Sequence, residues 1–134
     1  MHNLRKHSRH MTMALLLSIP FTAGAAQSSA PDTWAGFVAS PALPSTHVDA
    51  TFDGRQVSLH FDEPANCRIV AALLHADEDG SYYRLRPSQN GGAFCARMYP
   101  GEVAFTRSDA DRTTMTFHRG EAVWSGTLQP VESP

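Results

Sequence analysis

The sequence predicts an all-β protein: a small antiparallel meander barrel of about eight strands, held by one disulfide. Runs of five to eight residues alternate apolar with polar side chains, and no stretch carries a convincing 3.6-residue apolar period. Turn pairs such as Asp53-Gly54, Pro100-Gly101 and Arg119-Gly120 punctuate these runs at short intervals. The first and last runs share a W-x-G triplet, Trp34-Ala35-Gly36 and Trp124-Ser125-Gly126. That likeness suggests that the two end strands meet, which would close the sheet and remove its open edges. A two-sheet β-sandwich of the same strands is the alternative.

The chain opens with Arg5, Lys6 and Arg9, then the apolar run of residues 13–21, then small residues up to Ala25 and Ala26. A basic start, a short apolar middle and an A-x-A end are the parts of a secretory signal peptide. Residues 1–26 are therefore expected to leave by cleavage near Ala25 or Ala26, sending the protein to the periplasm or the medium. The apolar run is too short to span a bilayer, and no cysteine near the cut offers a lipid anchor. Residues 27–134 then form a single β domain.

The first strand reads as residues 33–39, ended by Pro41 and Pro44, which lack ladder donors. Residues 47–52 and 55–61 flank Asp53-Gly54, the strongest short hairpin signal. A loop at those two residues pairs Phe52 with Arg55, Ala50 with Val57, and Val48 with Leu59 on a mainly apolar face. The other face then pairs Thr51 with Gln56, Asp49 with Ser58, and His47 with His60. Residues 67–74 are apolar on both faces except Arg68, as in a strand covered on both sides. Four further runs follow at residues 81–86, 94–99, 102–106 and 113–118, and the last strand is 122–128. The polar tail 129–134 is expected to be loose. Trp34, Phe37, Phe61, Phe105, Phe117 and Trp124 are the expected interior aromatics.

Of 134 residues, eleven are Lys or Arg and thirteen are Asp or Glu. Loss of Arg5, Lys6 and Arg9 with the signal leaves eight basic residues, and a net charge of −5. Such a chain is repelled by nucleic acid and by anionic lipid, and a cationic protein would be drawn to it. Cys67 and Cys95 are the only cysteines, so an oxidising compartment predicts one disulfide between them. Closing that loop of about 28 residues would stabilise the fold by roughly 3–4 kcal/mol.

No G-x-S-x-G, H-E-x-x-H or ordered Ser/His/Asp signature is present, so no catalytic residue and no cofactor are expected. Thirteen acids always contain some pair, so a hydrolase using two carboxylates rests on nothing positive. His47 and His60, with Asp49 on the same face, form an alternative metal set suited to zinc or iron. The acidic turns at residues 77–80 and 108–111, read as lying at opposite barrel ends, lack the twelve-residue calcium pattern. The better binding surface is Tyr82, Tyr83 and Arg84 beside the loop Ser88, Gln89, Asn90, Gly91 and Gly92. Tyrosine and arginine combine contact area with directed hydrogen bonds, and Cys95 would anchor the loop.

Signal peptide, strand meander, one disulfide, acidic balance and a mature length near one hundred residues together give a chain that resembles the small periplasmic lysozyme inhibitors of bacteria. It also resembles envelope immunity proteins in these respects. The likeness is architectural: the inhibitors' serine-glycine-serine-containing signature is absent, and Ser88-Gln89-Asn90-Gly91-Gly92 is not an equivalent match, so no functional residue is carried over by motif. It implies an exported, non-enzymatic protein that binds and inhibits a basic hydrolase, one secreted or acting on the cell wall. A periplasmic barrel that carries a small ligand or a metal is the second expectation.

Overall fold

The computed structural model describes residues 32–41, 43–88 and 92–132. The expected signal peptide, residues 1–26, lies outside them. Eight strands follow in chain order: β1 (Asp32–Ser40), β2 (Leu43–Asp53), β3 (Gln56–Phe61), β4 (Cys67–Ala76), β5 (Gly80–Leu85), β6 (Glu102–Asp109), β7 (Arg112–Arg119) and β8 (Ala122–Pro130). One short helix, α1 (Ala93–Met98), interrupts them between β5 and β6. Each strand pairs antiparallel with the next, and β8 returns to β1, so the sheet closes into a barrel.

Closure runs through the two W-x-G triplets. Gly36 faces Leu128, and Gly126 faces Val38 across the β1–β8 seam. A Cβ at Gly36 would overlap the Thr127 carbonyl oxygen, and one at Gly126 would overlap that of Phe37. The seam therefore brings backbones closer than any side chain permits.

Eight strands leave an interior just wide enough for side chains to fill. Val48, Ala50, Val57, Leu59, Ile69, Leu85, Val103, Met115 and Leu128 occupy it and are almost wholly buried. Aromatic rings close the column at both ends. At one end Phe52 packs on Phe105 with ring centres 4.9 Å apart, and Tyr83 lies 5.8 Å from Phe105. At the other end Trp124 meets Phe117 at 4.3 Å and Phe94 at 5.4 Å. That second end also holds α1, whose Cys95 and Met98 point into the core. The disulfide Cys67–Cys95, with Cα atoms 6.0 Å apart, ties the helix to the start of β4.

Several expectations need correction. Residues 94–99 are expected as a strand, yet Ala93–Met98 are helical. Six residues cannot separate a period of two from one of three, and the buried Cys95 and Met98 sit three apart. The β2–β3 register also differs by two residues: Phe52 faces Val57, Ala50 faces Leu59, and Val48 faces Phe61. The loop residues are Gly54 and Arg55, and only the glycine takes a positive φ, of 56°. Glycine at the first central position suits a type II′ turn, which also leaves the apolar face without Arg55. Gly120, with φ 59°, plays the same part between β7 and β8.

β4 has one outer face open to solvent, where Leu74 is exposed, since a closed barrel has nothing to cover it. Phe37 points outward at 61 % exposure and is not a core residue. Gln129 and Pro130 belong to β8 and pair with β1 instead of lying in a loose tail.

Two stability measurements follow. Removing the disulfide with Cys67→Ala and Cys95→Ala lowers the urea-unfolding free energy by roughly 3–4 kcal/mol. Gly126→Val forces a side chain against the seam and costs about 1–3 kcal/mol or more in the same assay.

Candidate functional site

In an up-and-down barrel, alternate connections share an end. The β2–β3, β4–β5 and β6–β7 turns therefore lie together with the start of β1, away from α1 and the disulfide. This end opens as a concavity of about 450 Å³. Trp34, Phe52 and Phe105 supply its apolar lining, and four acidic residues (Asp32, Asp77, Glu78 and Asp79) and two arginines (Arg107 and Arg112) line it as well.

Local bonds shape this mouth. Asp77 Oδ1 accepts from the backbone amides of Asp79, at 2.9 Å, and Gly80, at 3.1 Å. An Asp two and three residues ahead of its donors is the usual chemistry of such a turn. The turn also touches β6, where the Arg107 amide donates to the Asp79 carbonyl at 3.3 Å. The Trp34 indole donates to Asp32 Oδ2 at 2.8 Å, which sets one carboxylate beside an aromatic ring. Among the described residues, no ion pair within 4.0 Å uses Glu78, Asp79, Arg107 or Arg112.

A second group lies on the outer wall near the disulfide end. Asp49 of β2 faces His60 of β3, and the Asp62 amide just past β3 donates to the His47 carbonyl at 3.1 Å. His47 Nδ1 stands 2.9 Å from Asp62 Oδ2. His60 Nδ1 lies 3.8 Å from Asp49 Oδ2 and 4.0 Å from Asp62 Oδ1. Phe37 packs edge-on against His47 at 5.1 Å.

The expected binding surface is dispersed. Tyr83 is 4 % exposed and packs inside against Phe52 and Phe105, so it belongs to the core. Tyr82 and Arg84, on either side of it, face outward. Tyr82 stacks on His75 at 4.4 Å, and Arg84 pairs with Glu102 at 2.8 Å. The Ser88 hydroxyl donates to the Arg68 carbonyl at 3.2 Å, while Gln89 and Asn90 lie outside the described residues. Ser88 sits at the disulfide end, and the acidic mouth is at the other. The negative turns and Ser88 therefore do not share a surface.

Two residue sets escaped the sequence reading for identifiable reasons. Counting residues 94–99 as a strand puts one extra strand between the two acidic turns, which reverses their relative ends. Treating Asp53-Gly54 as the loop sets His60 opposite His47, so Asp62 was not part of the expected metal set. An even strand count, required for antiparallel closure of β8 onto β1, was the signal available for the first. Comparison with protein families, with curated proteins and with solved structures finds no match.

The burial pattern separates the two tyrosines by experiment. Tyr83→Ala removes a core ring and lowers stability by about 3 kcal/mol or more in urea unfolding. Tyr82→Ala, on the outer wall, changes it by less than about 1 kcal/mol.

Proposed function

We propose that this protein is an exported, non-enzymatic binding barrel whose acidic mouth receives a cationic segment of a protein partner, and that the partner class is a basic hydrolase of the cell wall. The observation that carries this reading is the concavity of about 450 Å³ lined by Asp32, Asp77, Glu78 and Asp79 together with Trp34, Phe52 and Phe105, where the four carboxylates outnumber the two arginines, Arg107 and Arg112. Carboxylates beside aromatic faces suit an arginine or lysine side chain, which gains both charge pairing and cation–π contact. Asp53 ends β2, Asp109 ends β6 and Asp111 lies in the β6–β7 turn at the same end, so that with Arg55 of the β2–β3 turn counted the charge of this end stays negative. Such a field speeds encounter with a cationic partner and discriminates against anionic ones.

Export accords with the basic-then-apolar start of the sequence and with the disulfide, a bond typical of oxidising compartments. No helix among the described residues is long and apolar enough to cross a membrane. A carrier that uses the barrel interior has less in its favour, because side chains from every strand fill the column between the aromatic ends.

The test is inhibition of cell-wall lysis by a basic lysozyme as the disulfide-bonded protein is titrated in. Lysis slows with added protein, and capture weakens about tenfold or more between 0.05 M and 0.5 M salt. Glu78→Gln with Asp79→Asn weakens capture by a similar factor and leaves the circular dichroism spectrum unchanged. Undiminished lysis at every protein concentration, or capture indifferent to these two substitutions, overturns the reading.

A further inference from the structure

We propose that His47, Asp49, His60 and Asp62 form a binding site for a divalent transition-metal ion, zinc or copper, on the outer wall of β2 and β3. The proposal is independent of the acidic mouth, which lies at the opposite end of the barrel.

Strand geometry assembles the four residues. His47 and Asp49 are two apart on β2, so both face outward; His60 ends the outward row of β3, and Asp62 follows it. The observed register sets Asp49 across from His60, and the Asp62 amide bonds the His47 carbonyl. His47, Asp49 and Asp62 thereby form a three-residue group, and His60 stands beside its two carboxylates. Ligand atoms of His47, Asp49 and Asp62 all lie within 4.8 Å of one another. His60 Nδ1 is 3.8 Å from Asp49 and 4.0 Å from Asp62.

Donors bound tetrahedrally at about 2.0–2.2 Å stand about 3.3–3.6 Å from each other. The spacings of 3.8 Å and 4.0 Å at His60 exceed that range and the 2.9 Å between His47 and Asp62 falls short of it, so ligation requires the side chains to rotate. All four side chains retain water access, with exposures between 31 % and 49 %, so an ion can enter without backbone movement. The donor chemistry narrows the ion. Imidazole nitrogen suits zinc and copper, whereas calcium and magnesium take oxygen ligands almost exclusively. Phe37 against the His47 ring limits its rotation, which lowers the entropy lost on ligation.

The site does not require a new fold element, and a bound ion would clip the end of β3 to the start of β2. Neither His75 nor His118 has an equivalent setting. His75 stacks on Tyr82 with Asp77 3.9 Å away, and His118 lies on β7.

The experiment titrates zinc and copper(II) chloride separately into the chelator-treated, disulfide-bonded protein by calorimetry. A single ion binds more tightly than about 10 μM. His47→Ala and Asp62→Asn each weaken binding at least about tenfold, and His47→Ala with His60→Ala abolishes it. His75→Ala leaves binding unchanged, as does the Glu78→Gln and Asp79→Asn pair at the acidic mouth. In proton NMR spectra, zinc shifts the ring signals of His47 and His60 and leaves those of His75 and His118 in place. Absence of binding by both metals, or retained binding in the doubly substituted histidine variant, overturns the proposal. With lysozyme capture measured on the chelator-treated protein, each proposal can fail without the other.

Discussion

Pairing of β8 with β1 is the constraint on which the rest of the molecule depends. It gives every strand two hydrogen-bonded neighbours, so no row of amides and carbonyls is left open to another chain. Closure fixes the strand number as even, because β1 and β8 must run antiparallel. It divides each strand into an inward and an outward row, with the inward row forming the core. The backbones approach so closely at Gly36 and Gly126 that a side chain at either position would strike the opposite carbonyl.

Closure also makes the two ends different. One end is stoppered by α1, held by Cys67–Cys95 and by the packing of Phe94 on Phe61 and Trp124. The Arg119 guanidinium, donating to the Arg97 carbonyl, adds a further tie between β7 and the helix. Among the described residues the other end has only short turns, and its aromatic layer of Phe52, Tyr83 and Phe105 underlies the concavity.

Exposed charge contributes little to the stability of this fold. The Arg84–Glu102 pair is more than half exposed on both sides, a setting in which ion pairs add only tenths of a kcal/mol. Core burial and the disulfide hold the barrel together. At the mouth Asp32 and Asp77 are engaged by Trp34 and by turn amides, whereas Glu78 and Asp79 form no ion pair among the described residues, and the His47, Asp49, His60 and Asp62 group stands on the outer wall, outside the core.

Much of the architecture was legible in the chain. Alternation in Val48, Ala50, Val57 and Leu59 marked a one-sided strand pair, the paired W-x-G triplets pointed to closure, and two cysteines sufficed for the disulfide. These features are local or count-based, so the sequence carries them directly. The helix at Ala93–Met98, the two-residue change in the β2–β3 register, and the inward turn of Tyr83 came only with the tertiary structure. Each depends on how a short segment fits against distant ones: whether six residues stopper a barrel, which register buries Phe52 and Phe61 together, which face of β5 looks inward. The functional groups depend on the same long-range facts. Asp32 and Asp77–79 meet because an even meander returns them to one end, and Asp62 joins His47 because of where the hairpin turns.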